Sequence, residues 1–105
     1  MSAEIARSRF IRGIVLDLLW TADGAGSRFG FTFEQLARGF GASRVEVAIA
    51  ELRRELNDLA ADQLIQQTWD GDLRCDHYTI GPRGRDFKRA GCPWDRIDEF
   101  TGKVP

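Results

Sequence analysis

The chain has 105 residues, 43% of them hydrophobic, and a formal net charge of −1. That length supports one domain with a core of its own, spanning 1–105, and excludes two. The apolar runs Ile14-Val15-Leu16 and Leu18-Leu19-Trp20 are interrupted by Asp17, and Met1-Ser2-Ala3-Glu4 lacks a signal-peptide layout, so neither a membrane span nor secretion is expected and the location reads as cytoplasmic. Cys75 and Cys92 are the only cysteines. In such a location they are expected as reduced thiols.

The first element is a helix from about Ile5 to Trp20, because Ile11, Ile14, Val15, Leu18 and Leu19 recur at helical spacing. Arg7, Arg9 and Arg12 lie off that stripe. Leu16 and Trp20 project from the far side, one above the other, and need a cover. Two covers are open: the C-terminal segment of the same chain, through Trp94, Ile97 and Phe100, or a second subunit in a homodimer.

Thr21 to Gly30 reads as a loop. A short helix follows, with Thr32 as N-cap, Gln35 closing a capping box and Phe31 stapled to Leu36, ending near Gly39. Gly39-Phe40-Gly41-Ala42 then reads as a tight turn into a long helix, Ser43 to Asp62. Ser43 and Glu46 suit a second capping box, and Val45, Ile49, Leu52, Leu56 and Leu59 form one apolar stripe. Val47, Ala50, Glu51, Arg54 and Asp58 fall on the opposite face.

Two strands come next, Leu64 to Trp69 and Leu73 to Ile80, around Asp70-Gly71-Asp72, a strong hairpin signal. Pro82 opens a short helix through Arg89, closed by Gly91, and Pro93 opens a last segment to Phe100. The core thus spans about 5–90, with 91–105 as a tail packing back on the first helix or on a partner subunit.

The expected fold class is α+β: a three-helix core, a C-terminal β-hairpin and short C-terminal helices, in the order of a winged helix-turn-helix. The stretch from Leu64-Ile65 to Tyr78-Thr79-Ile80-Gly81-Pro82-Arg83-Gly84-Arg85 resembles the wing of the multiple-antibiotic-resistance-regulator and arsenic-repressor type of winged helix. More narrowly, Ser43-Arg44-Val45-Glu46-Val47, Glu51-Leu52 and the tail Pro93-Trp94-Asp95-Arg96-Ile97-Asp98 are similar to small winged-helix proteins of Mu-like phages and prophages.

The resemblance implies binding to double-stranded DNA and regulation of transcription, with the Ser43 helix in the major groove and the hairpin tip on the backbone or minor groove. The residues it singles out are Ser43, Arg44, Val47, Ala50 and Arg54 on the long helix, Arg74 on the wing and Arg38 on the preceding helix, with Arg28 as a further phosphate contact.

Charge keeps a second reading open. Between residues 45 and 76, Glu46, Glu51, Glu55, Asp58, Asp62, Asp70, Asp72 and Asp76 face only Arg53, Arg54 and Arg74, whereas duplex affinity comes largely from neutralising phosphates. An acidic helix and wing suit a protein partner, so the alternative is an interaction module without sequence-specific DNA binding. A second basic patch, Arg83, Arg85, Lys88 and Arg89, reads as a solvated face, or else as an unusual nucleic-acid surface together with Arg7, Arg9 and Arg12.

No enzyme is expected, since neither a Gly-x-Ser-x-Gly elbow nor a Walker-type loop occurs. Cys75 and His77 alternate onto one strand face, but with Cys92 they fall short of the four ligands of a structural zinc site, so neither a metal nor another cofactor is expected.

Overall fold

The structure, a computed structural model, describes residues 3–27 and 29–102. Its elements are α1 (Ala3–Gly24), β1 (Phe31–Thr32), α2 (Phe33–Ala42), α3 (Ile49–Ala61), β2 (Ile65–Asp70), β3 (Cys75–Ile80), α4 (Pro82–Arg89), a 3-10 turn (Trp94–Arg96) and α5 (Ile97–Thr101). The fold is α+β, as expected. β1 was not anticipated: it makes a three-stranded antiparallel sheet of order β1-β3-β2, with Phe31 opposite Tyr78 and Thr32 opposite His77.

α1 places Ile11, Val15, Leu16 and Leu19 in a core shared with Leu36 and Phe40 of α2, Leu52, Leu56 and Leu59 of α3, Ile65, Tyr78 and Ile80 of the sheet, and Phe87 of α4. The Thr32 capping box forms as read, with the Gln35 amide donating to the Thr32 hydroxyl and the Thr32 amide to the Gln35 side chain. α2 nevertheless runs past Gly39 to Ala42. Gly39 serves packing there, because a Cβ would come within 2.9 Å of Leu18 Cδ1.

The second capping box does not form, and this is the main correction. Ser43 closes α2 instead of opening α3, and α3 starts six residues later, after Ala48. The cause lies in the backbone. Arg44 adopts a left-handed conformation with φ of 58°, its N–H reaches Gly41 O at 3.0 Å, and the Val45 N–H reaches Phe40 O at 3.0 Å. Those two bonds are the Schellman pattern, which satisfies α2's last carbonyls and turns the chain. Val45 and Val47 then pack from the linker against the core, and Ile49 opens α3 exposed. The same pattern ends α3: Gln63 has φ of 63° and Leu64 N–H bonds Leu59 O.

The hairpin is slightly longer at its tip than the Asp-Gly signal suggests. Asp70 pairs with Cys75, leaving Gly71 to Arg74 as the turn. Asp70 Oδ1 accepts the backbone N–H groups of Asp72 and Leu73 at 2.9 and 3.1 Å, and Arg74 takes φ of 53°. The turn is therefore capped by Asp70 itself.

α4 begins at Pro82 and is closed by Gly91 at φ of 68°, as expected. Its tightest seam is Gly84, where a Cβ would meet the Leu64 carbonyl oxygen at 2.1 Å. Gly84→Ala would gain helix propensity in isolation but forces backbone apart here. The expected result is a net loss of about 1–3 kcal/mol, read by urea unfolding.

The tail returns on its own chain. Ile97 is fully buried, Phe100 meets Phe87 edge to face at 5.4 Å, and Trp94 meets Phe10 in the same way and abuts Gly13. Leu16 is fully buried and Trp20 partly buried within the single chain. The tail's contacts on α1 thus include Arg9, Phe10, Arg12 and Gly13, before the Leu16 turn. Among the described residues no helix is long and apolar enough to cross a membrane.

Candidate nucleic-acid interface

On α3, Leu52, Leu56 and Leu59 point into the core. At about 100° per residue the outward face is then Ala50, Arg54, Asn57 and Ala61, with Arg53 on the flank toward Phe33 of α2, all five exposed. Glu51, Glu55 and Asp58 fall together on one flank, and that flank lies against α1.

There Arg7 and Arg12 of α1 meet them, and Arg9 meets α5. Arg12 Nε bonds Glu55 Oε2 at 2.6 Å, and its Nη2 bonds Asp58 Oδ2 at 3.0 Å. Ser8 donates to the same Glu55 oxygen at 2.7 Å. Arg7 holds Glu51 through two bonds of 2.6 and 2.9 Å and also bonds the Glu46 carbonyl. Arg9 bonds Asp98 of α5 at 2.8 Å, and Arg12 Nη1 lies 3.7 Å from Asp98. The Glu55 side chain is 2% exposed and that of Arg12 9%, so this pair is inside the protein. The Arg7 hydrogen bond holds the Glu51 carboxyl below its ordinary pKa, and the same bond raises that of Arg7.

The acidity that composition assigns to α3 is thus largely spent inside the molecule. Glu51 does not share the outward face. Asp70 is engaged by the turn, with its other oxygen 3.5 Å from His77 Nε2, and Asp76 accepts the Gln67 side-chain amide at 2.7 Å. Asp72 and Glu46 remain exposed.

Of the residues singled out from sequence, Ala50 and Arg54 lie on the outward face one turn apart. Arg54 also lies 3.5 Å from Glu55. Ser43, Arg44 and Val47 are not helical and belong to the α2–α3 linker, Ser43 and Arg44 exposed and Val47 half-buried. Arg38 sits on α2 and bonds Glu34 at 2.7 Å; Arg74 is exposed in the hairpin turn. Arg28 lies outside the described residues. Sequence reading missed Asn57, on the outward face that Leu52, Leu56 and Leu59 already set, and Arg53, exposed on the flank beside α2. Arg53 is steadied over the Phe33 ring, 4.6 Å from its centre.

The second basic patch has largely structural partners. Arg85 bonds Asp23 at 3.1 Å, Lys88 bonds Asp17, and Arg83 reaches the carbonyls of Asp62 and Phe100. These tie α4 to α1 and to the tail, and Arg89 is exposed.

His77 lies on β3 with its Nδ1–H donating to the Phe29 carbonyl at 3.0 Å, the tautomer that an acceptor-only partner requires. The Phe29 ring stacks on it. Among the described residues no three His, Cys, Asp or Glu side chains come together as a metal site. In comparison with known proteins, no family model, no curated protein and no solved structure matches the chain.

Proposed function

We propose that the chain is a winged-helix protein of phage or prophage type that binds double-stranded DNA in a regulatory role. α3 enters the major groove, and the β2–β3 hairpin lies against the backbone. One observation carries this reading: α3's carboxylates turn onto Arg7 and Arg12, which leaves Ala50, Arg54 and Asn57 facing outward, with Arg53 exposed on the adjoining flank. Arginine and asparagine suit phosphate and base-edge contacts, and two alanines let the helix approach closely. The order of α2, α3 and a hairpin stitched to β1 supports the same assignment.

The hairpin tip favours a second reading, a protein-interaction module. Trp69 and Leu73 are 62% and 65% exposed beside Asp72, which suits a protein partner better than a phosphate backbone.

The separating experiment is binding to mixed-sequence duplex DNA at about 50 and about 200 mM salt. The wild type should weaken steeply with salt. The Arg53→Ala, Arg54→Ala double variant should bind more weakly and lose about 0.9 from the log–log salt slope for each phosphate contact removed. An Arg83→Ala, Arg85→Ala variant that still folds should bind as the wild type does. Absence of binding at the lower salt would reject the DNA reading and leave the interaction module.

A further inference from the structure

Strand β2 is the long free edge of the sheet. The order is β1-β3-β2, and among the described residues no strand lies on the outer side of β2. An edge strand of this length usually carries a lysine, a proline or a bulge that blocks further pairing. β2 reads Ile65-Gln66-Gln67-Thr68-Trp69-Asp70, with no proline and no charge before its last residue. Its register on β3 is unbroken from Ile65 opposite Ile80 to Asp70 opposite Cys75, so no bulge deflects it. Gln66 to Trp69 are all exposed.

Beside this strand runs an open cavity of about 610 Å³, bounded by Ala60, Gln63, Pro82 and the strand edge from Ile65 to Thr68. One edge therefore carries both a projecting indole, Trp69, and a recess.

We propose that a second copy of this chain adds its own β2 to this edge, antiparallel about a two-fold axis at Gln67, with each Trp69 seated over the other copy's recess. Strand geometry limits the register. Ile65, Gln67 and Trp69 alternate onto the face that Ile65 and Ile80 turn to the core. A two-fold axis perpendicular to the sheet keeps that face common to both copies, and only centring on Gln67 pairs the three among themselves. Centring on Gln67 sets Trp69 opposite the second copy's Ile65, at the recess, and Gln66 opposite Thr68. Asp70 falls beyond the run, opposite Leu64, so no like charges are opposed.

The occupant is a second copy because the exposed indole and the recess lie on one regular edge strand, uncharged up to Trp69, so a single two-fold contact satisfies both, as an isologous interface does. The sheet's other edge, β1, has two residues, so pairing closes at a dimer and does not propagate. The dimer does not depend on nucleic acid and stands apart from the DNA reading.

The test combines sedimentation with a register-specific cross-link. The wild type should double in mass between micromolar and near-millimolar concentration. Trp69→Ala should weaken the dimer by about tenfold or more, as removal of a central interface tryptophan does. With Cys75 and Cys92 replaced by serine, Gln67→Cys should oxidise to a covalent dimer. Directly opposed residues stand about 4.5–5.5 Å apart between Cβ atoms, near the span of a disulfide. Gln66→Cys, out of line with its symmetry mate, should cross-link far less. Far-UV circular dichroism establishes that each variant is folded. A wild type that stays monomeric, a Trp69→Ala variant that assembles equally well, or equal cross-linking at Gln66 and Gln67 would each overturn the proposal.

Discussion

Replacing Arg12 with alanine is expected to destabilise the protein by about 3–5 kcal/mol, the usual result of breaking a buried ion pair from one side. The loss follows from what is left behind. Glu55, 2% exposed, would keep the Ser8 hydroxyl but lose its guanidinium, and Arg54 approaches only its other oxygen, at 3.5 Å. Asp58 and Asp98 would lose the same partner. A domain of this size holds roughly 5–15 kcal/mol in all and shifts about 4–8 °C in Tm per kcal/mol. Thermal and urea unfolding should therefore show the variant close to the edge of folding. The contrast is the double replacement Arg12→Met, Glu55→Leu, which removes both charges while keeping volume. It should recover most of the loss. A single variant that unfolds like the wild type would mean that Glu55 is solvated and the Arg12 pair superficial.

That network also determines the chemistry α3 presents. With Arg12 gone, Glu55 and Asp58 lose the charge that holds them to α1, and the outward face gains negative potential beside Arg54. On the proposed DNA reading, stability and DNA affinity should therefore fall together in Arg12→Ala, whereas Arg53→Ala should lower affinity alone. Arg7 and Arg12 of α1 act on α3's acids, and tallying charge along the chain places them in the wrong segment to show it. Two sequence-distant stretches, near neutral together, make one ion-pair layer.

How far the residues reveal the fold depends on whether their signals are local. Thr32 and Gln35, Pro82 and Gly91, and Asp70-Gly71 act within one turn of chain, and each marks a real boundary. Ser43 and Glu46 have the same outward look, yet the Schellman turn at Arg44 claims Ser43 first. The stop is hard to see because the left-handed positions after α2 and α3 hold Arg44 and Gln63 in place of glycine, while Gly39 and Gly41 lie inside α2. β1 is hidden for a different reason. Two residues carry no periodicity, and Phe31-Thr32 becomes a strand only by lying against His77 and Tyr78. Of the candidate site, Ala50 and Arg54 were legible from helical spacing, and Asn57 equally so from the same Leu52, Leu56 and Leu59 stripe, whereas Arg53 takes its place from Phe33, a contact between elements.

Ile97→Ala should be the second large effect, about 2–5 kcal/mol for truncating a fully buried branched side chain. Ile97 is 0% exposed although it lies in a five-residue helix near the end of the described chain, so its burial holds the tail on α1. The neighbouring Asp98 closes the arginine cluster on Arg9 and Arg12, which makes the two large predictions interdependent. Once the tail is loosened, Arg12 has less left to lose. The Arg12→Ala, Ile97→Ala double variant should fall short of the summed single effects by about 0.5–3 kcal/mol. Trp94→Ala, at a ring 42% exposed, should cost visibly less than Ile97→Ala. The same measurements decide between the two covers considered for α1. A tail docked in its own chain gives an Ile97→Ala loss that is the same at every protein concentration; a tail exchanged between subunits gives a loss that shrinks on dilution, because the wild type is then already undocked.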